Sequence, residues 1–375
     1  MKAKSIPLFL TVMAACMGLF GSAAAIDRHD QAPRGQVWGY IFGDFYWKAA
    51  GENPGWGQAE YTRTNKNMMA GQLRRLYLGY NYKISDRFSS RVLLEANPGT
   101  LMNNGAYGVI VKQGYLQWEV PFELLHNQNV RVGLIPSPVF AFPERTWGYR
   151  SVEKEALDAR GLGRSVDQGV SYSGHFDPDN NYGITLMIGN GSGTRPATDR
   201  YFEYYTSVFA RLFDRRFSVE VMSNYKYLGN DNRFGIIRGF FAWENTHFTL
   251  GAEVAQVYNS VSGSQGFTDI EPLLISLFTS FDLPFITDNL RAFLRYDMFN
   301  PDRNYSDTKV YPDNFPSDLR FVYQQDLLIA GLHYAPHERV NIMPNIYMNI
   351  YDDKRPNPTD RAADVVFRTT LYYRF

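Results

Sequence analysis

Cysteine is nearly missing from the 375-residue chain, Cys16 being the only one. It lies in an opening segment where Lys2 and Lys4 precede an apolar run from Ile6 to about Phe20, followed by the small residues Ala23, Ala24 and Ala25. This is the pattern of a cleaved secretory signal, read as residues 1–25, with residues 26–375 as the mature chain. A mature chain without thiols excludes disulfides, cysteine nucleophiles and thiolate metal sites together. Long hydrophobic runs are also lacking. Mean hydropathy is negative, and nothing after Ala25 approaches the roughly 20 apolar residues that a membrane-crossing helix requires. Neither sign of charge dominates: Lys and Arg number 38, Asp and Glu 38. The basic stripe of a nucleic-acid-binding protein is therefore absent.

Aromatic residues are plentiful, at 16% of the chain, and they alternate with polar ones. In FSVEVMSNYKY, Phe217, Val219, Val221 and Tyr225 alternate with Ser218, Glu220, Asn224 and Lys226. In NLRAFLRYDMF, Leu290, Ala292, Leu294 and Tyr296 alternate with Arg291, Arg295 and Asp297. Period two is the signature of a strand with two unlike faces. About sixteen such segments follow one another, starting near residues 36, 73, 88, 109, 129, 165, 182, 204, 217, 233, 247, 272, 289, 321, 340 and 364. Short turns (84–87, 214–216, 244–246, 335–339) alternate with long polar loops (49–72, 97–108, 138–164, 190–203, 300–320, 352–363).

That rhythm, with strands of about ten residues, points to an all-β fold: one domain, a transmembrane antiparallel β-barrel with short turns at one rim and long loops at the other. Closure satisfies the backbone groups that hydrocarbon cannot. Sixteen strands leave an aqueous bore. The third long loop, 138–164, is expected to fold inward and narrow it, with Ser151 capping a short helix over 152–159. Its candidate constriction residues are Arg145, Arg150, Glu153, Lys154, Glu155, Asp158, Arg160 and Arg164. Strand parity assigns Asp44, Arg75, Arg91, Glu95, Arg131, Glu220, Arg291, Arg295, Asp297 and Arg368 to the pore lining, and Glu119, Glu253, Asp326 and Arg374 to the same face.

The stretches GLIPSP (133–138), RSVEKEAL (150–157) and GRSVDQGVSYSG (163–174) resemble the phosphate-selective porin O/P-like family. The resemblance implies a sixteen-stranded outer-membrane porin, often a homotrimer, passing small hydrophilic solutes, with an anion or phosphate preference. It further implies contact with outer-membrane lipid and lipopolysaccharide. The closing residues Leu371, Tyr373 and Phe375 are similar to the insertion signal read by barrel-insertion machinery. Against phosphate selectivity, the parity count of lumen charges is even, whereas a selective pore needs an excess of one sign.

Two other readings stand beside the channel: a surface receptor or adhesin using the long loops, and an outer-membrane hydrolase. His126, His175, His247, His333 and His337 lie at or near short turns, His29 lies in the leader, and no G-x-S-x-G accompanies them, so no catalytic role and no cofactor is assigned. GNGSG (189–193) lacks the following helix that a phosphate cradle needs and reads as a flexible loop. Asp177, Asp179 and Asn181 have the opening spacing of a calcium loop but lack its later ligands, and read as turn formers. Trp47, Trp118, Trp147 and Trp243 are candidates for interfacial girdles.

Overall fold

The computed structural model describes residues 34–52, 60–121, 125–263, 266–309, 311, 319–358 and 360–375. The signal segment, with Cys16 and His29, lies outside them. The strands are β1 (Arg34–Ala50), β2 (Met69–Lys83), β3 (Phe88–Ala96), β4 (Ile110–Glu119), β5 (His126–Pro136), β6 (Val166–His175), β7 (Tyr182–Gly189), β8 (Glu203–Leu212), β9 (Phe217–Gly229) and β10 (Asn232–Glu244). They continue through β11 (Phe248–Gly263), β12 (Gly266–Ile270), β13 (Leu273–Asp282), β14 (Leu290–Asn300), β15 (Tyr323–His337), β16 (Val340–Asp353) and β17 (Asp364–Arg374). β12 and β13 both pair with β11 and occupy one place in the wall, interrupted at Glu271 and Pro272, where proline removes a ladder donor. The result is a closed antiparallel barrel of 16 strands.

Closure is made by β1 against β17, from Tyr40 opposite Arg374 to Ala50 opposite Val365. The last residue belongs to the ladder: the Gly39 N–H donates to the Phe375 carbonyl at 3.1 Å, and the Phe375 N–H returns a bond to the Gly39 carbonyl at 3.0 Å. A sealed strand leaves no frayed end.

Alternation holds along most of the wall. On β9, Ser218, Glu220, Asn224 and Lys226 are buried inside while Val221 and Tyr225 are exposed outside. It fails in particular places. Arg74 and Arg75 both bond to interior groups. A register shift on the β3–β4 ladder between Leu93 and Leu94 accompanies an inward Lys112, which reaches Glu95. Asp326, assigned inward by parity, lies on the outer face, where its carboxylate accepts from the Tyr296 hydroxyl. Its strand β15 buries Gln325, Leu327 and Ile329 instead, so an apolar inner face inverted the reading.

The third long loop differs from expectation in its helices. The main one is α1 (Pro138–Trp147), with Ser137 as N-cap and Gly148, φ 71°, as the left-handed C-cap. Proline in the first turn is favourable because its missing N–H would have had no helical partner. Pro143, inside the helix, masked the segment as loop. The expected helix over 152–159 shrinks to α2 (Ala156–Ala159), capped by Glu155 rather than Ser151.

Candidate functional site

The loop from Ser137 to Arg164 lies inside the barrel. Its apolar side chains pack on the inner wall: Phe142, Trp147, Tyr149 and Val152 join Phe240, Phe278, Phe293, Leu327, Ile329 and Tyr347 in one buried cluster. Val139, Phe140, Ala156 and Leu157 join Ile236, Val257, Leu274 and Phe299 in another. The inner face of β10 to β16 is therefore partly hydrophobic because it seats the loop. Trp147 is buried here and belongs to no outer girdle, whereas Trp47 and Trp243 are exposed on the outer face.

Three wall arginines fasten the loop by its backbone. Arg74 on β2 donates through Nη1 to the Ser151 and Val152 carbonyls at 2.6 and 2.8 Å. Arg295 on β14 donates to the Lys154 carbonyl at 2.5 Å, and Arg238 on β10 donates to the Val139 carbonyl at 2.5 Å. Each also meets a wall carboxylate: Asp44, Asp297 and Glu220 respectively. Burying a guanidinium is tolerable only when it is paired and hydrogen-bonded in this way. Five of the predicted pore-lining residues, Asp44, Glu220, Arg295, Asp297 and Arg368, therefore point inward but are covered by the loops.

The first loop also turns inward, which the sequence reading did not anticipate. Lys48, fully buried, donates to the carbonyls of Glu52, Thr62 and Thr64 at 2.7–3.0 Å and pairs with Asp364 at 2.7 Å. Tyr61 stacks on Tyr46 with centroids 3.9 Å apart and donates to Asp44 at 2.8 Å.

The opposite face of the third loop carries partly exposed charges. Arg150 bridges Glu144 at 2.5 Å and Asp158 at 3.1 Å, and donates to the Tyr77 hydroxyl at 3.4 Å. Lys154 lies 3.9 Å from Asp158. Facing them on β2 to β4, Glu95 is held between Arg75 and Lys112, each at 3.1 Å. Burial disfavours ionisation of Asp158, yet Arg150 and Lys154 hold its carboxyl below the usual carboxylate range. This ring of loop and wall charges is the candidate constriction.

Of the predicted loop residues, Arg150, Lys154 and Asp158 belong to it. Arg145 and Arg164 are exposed outside it, Arg145 over the Phe142 ring and Arg164 3.8 Å from Glu203. Glu153, Glu155 and Arg160 are turned away from it and buried. Of the predicted lining residues, Arg75 and Glu95 belong to the ring. Arg91, Arg131 and Arg291 face the interior elsewhere and bond to Asn81, Gln117 and Asp282. Tyr77, Lys112, Arg74 and Arg238 were missed.

The glycine-rich GNGSG segment proves to be an anion cradle filled from within. Asp167 accepts the N–H groups of Gly191, Ser192 and Gly193 at 2.5–3.1 Å and the Tyr205 hydroxyl at 3.0 Å. Successive N–H groups converging on one anion form a nest, which here anchors the loop after β7 rather than leaving it loose. Asp177 acts as the expected turn former, accepting from the N–H groups of Asn181 and Tyr182.

Neither a protein-family model nor any curated protein sequence matches the chain. Solved structures do. The outer membrane channel DcaP of Acinetobacter baumannii is similar with a TM-score of 0.66 at 13% identity, over 94% of this chain and 100% of that one. An anion-selective porin from Comamonas acidovorans has a TM-score of 0.59 at 11% identity, over 92% and 100%. OmpT, an outer membrane protein of Vibrio cholerae, solved in a trimer form, has a TM-score of 0.55 at 10% identity, over 92% and 100%. At these identities the likeness establishes the fold, which is that of an outer-membrane porin.

Proposed function

We propose that the chain is a bacterial outer-membrane channel through which small hydrophilic solutes diffuse passively, with the third loop as its constriction. The observation that carries this reading is the loop itself, fastened inside a closed sixteen-strand barrel by Arg74, Arg238 and Arg295 while presenting Arg150, Lys154 and Asp158 to the opposite wall. Transport by diffusion needs no chemistry from the protein, only a wet aperture of limited size and a chosen field. Leu371, Tyr373 and Phe375 then serve as the signal read during insertion. A homotrimer is the assembly we favour, since OmpT has been solved in a trimer form.

Selectivity follows from the ring of charges. Arg75, Lys112, Arg150 and Lys154 face Glu95, Glu144 and Asp158, and Glu60 also interacts with Arg75 and Lys154, a balance that supports weak selectivity rather than a phosphate-specific pore. Reconstitution in planar bilayers tests both parts. The expected result is a stable open conductance, with a reversal potential in a salt gradient close to zero. A sealed barrel would refute the channel, and a strongly anion- or cation-directed potential would refute the assigned weak selectivity.

A further inference from the structure

Arg211 on β8 and Ser218 on β9 stand opposite each other in the ladder, beside the short turn 213–216. Helix α1 reaches this end of the barrel, and both Arg145 and Arg211 lie against its Phe142 ring, 5.9 and 5.6 Å from the centre. Phe209 carries Arg211 as well, at 5.2 Å. The two guanidinium groups are close enough to repel each other. Glu244, at the end of β10, interacts with both across more than salt-bridge distance. With Phe142, Thr146 and Ser218, these three line a cavity of about 50 Å³, where a single water needs roughly 10–15 Å³ of free volume.

The cavity is open to the interior, since Arg145 is exposed and Arg211 and Glu244 are half-buried. Its closed end is Ser218, only 2% exposed, whose hydroxyl has no hydrogen-bond partner among the described residues. A buried donor left unmatched costs free energy that a ligand can recover. The surrounding charge has one sign. Arg215, Glu220 and His175 also interact with the arginine pair. Glu220 is already matched by Arg238, so Arg145, Arg211 and Arg215 oppose the carboxylate of Glu244. Adding Asp177, which interacts with His175, still leaves an excess of positive charge, whether or not His175 is protonated.

We propose that this cavity binds a small carboxylate, of formate or acetate size, held by Arg145, Arg211 and the Ser218 hydroxyl. The guanidinium fork matches a carboxylate in plane and in charge, and the hydroxyl supplies a neutral donor at the closed end. Glu244 opposes the ligand, so the site holds it loosely and lets it go. The short-turn mouth is apart from the constriction ring, and occupancy is read without conductance. The site therefore stands or falls independently of the channel reading.

The test is line broadening of carboxyl-labelled sodium acetate in carbon-13 magnetic resonance, titrated against the detergent-solubilised full barrel. Wild-type protein is expected to broaden the line, and unlabelled formate to reverse the effect, whereas gluconate, too large for the cavity, should not. Affinity should fall about tenfold or more in Arg211→Gln, as the loss of a charge-assisted hydrogen bond predicts. Arg145→Gln alters an exposed side chain and serves if the Arg211 variant does not assemble. Ser218→Ala should weaken binding by a smaller factor, and Glu244→Gln, which removes the opposing charge, should tighten it. An unbroadened line with wild type would mean that the cavity holds only water and would overturn the site. Equal broadening in wild type and both arginine variants would overturn it too, and competition by gluconate would overturn the size assignment.

Discussion

Glu155 sits at the junction of loop and wall, capping α2 and facing Glu253. Burial first, and then the negative charge of Glu253, push its carboxyl well above the usual range. Such a group keeps its proton after the unfolded chain has released one, so its contribution to stability falls as pH rises above the ordinary value of 4.5. Glu155→Gln retains an acceptor for the Asp158 N–H and removes the titration. The variant should gain in stability relative to wild type between pH 5 and pH 8 (about the window set by the shift). Denaturant midpoints of detergent-folded protein at the two pH values check this; parallel behaviour would mean that the pair does not share a proton in the folded state.

At the level of elements, the loop owes its position to three arginine contacts and two apolar seats. Replacing Arg295 with Met preserves bulk but strands Asp297, and breaking one partner of a buried pair costs about 3–5 kcal/mol. The expected phenotype is a less stable barrel with a larger and noisier conductance, because the Lys154 segment loses its tether. Unchanged single-channel current would show that the apolar seat alone holds the loop. How much of this was readable beforehand depended on contrast between faces. Arg295 and Asp297 were found because Leu294 and Tyr296 alternate with them. Arg238 was missed because its neighbours are apolar on both faces, with Ile236 and Phe240 inside and Ile237 and Phe241 outside. Arg74 and Lys112 were missed because period two breaks there. Arg160 was named, but its sealed position behind the loop depends on tertiary packing that no local pattern encodes.

For the whole molecule, strand order and closure were legible because lipid imposes an apolar outer face on nearly every strand. The largest differences in a strand start are at β2, which begins at Met69 rather than residue 73, and at the place shared by β12 and β13, which begins at Gly266 rather than residue 272. The inward course of the first loop was not legible: Tyr61 adopts a positive φ of 63° and its partners are distant in sequence. The seam offers a global test. A side chain at Gly39 would collide with the Phe375 ring and lie 2.7 Å from the Tyr77 carbonyl oxygen. Gly39→Val should therefore hinder pairing of β1 with β17 and reduce the yield of folded barrel, read as the fraction retaining compact electrophoretic mobility without heating. Normal yield would show that the seam tolerates displacement of the terminal ring.

The tethers of the third loop come from β2, β10 and β14, well separated around the circumference. A segment attached at such points behaves as an internal strut, and a strut passes deformation of the hoop to whatever it supports. On the proposed channel reading, squeezing or flattening of the wall by a thicker or thinner bilayer would be felt at the aperture, so that host-membrane dimensions would act as a mechanical setting of permeability.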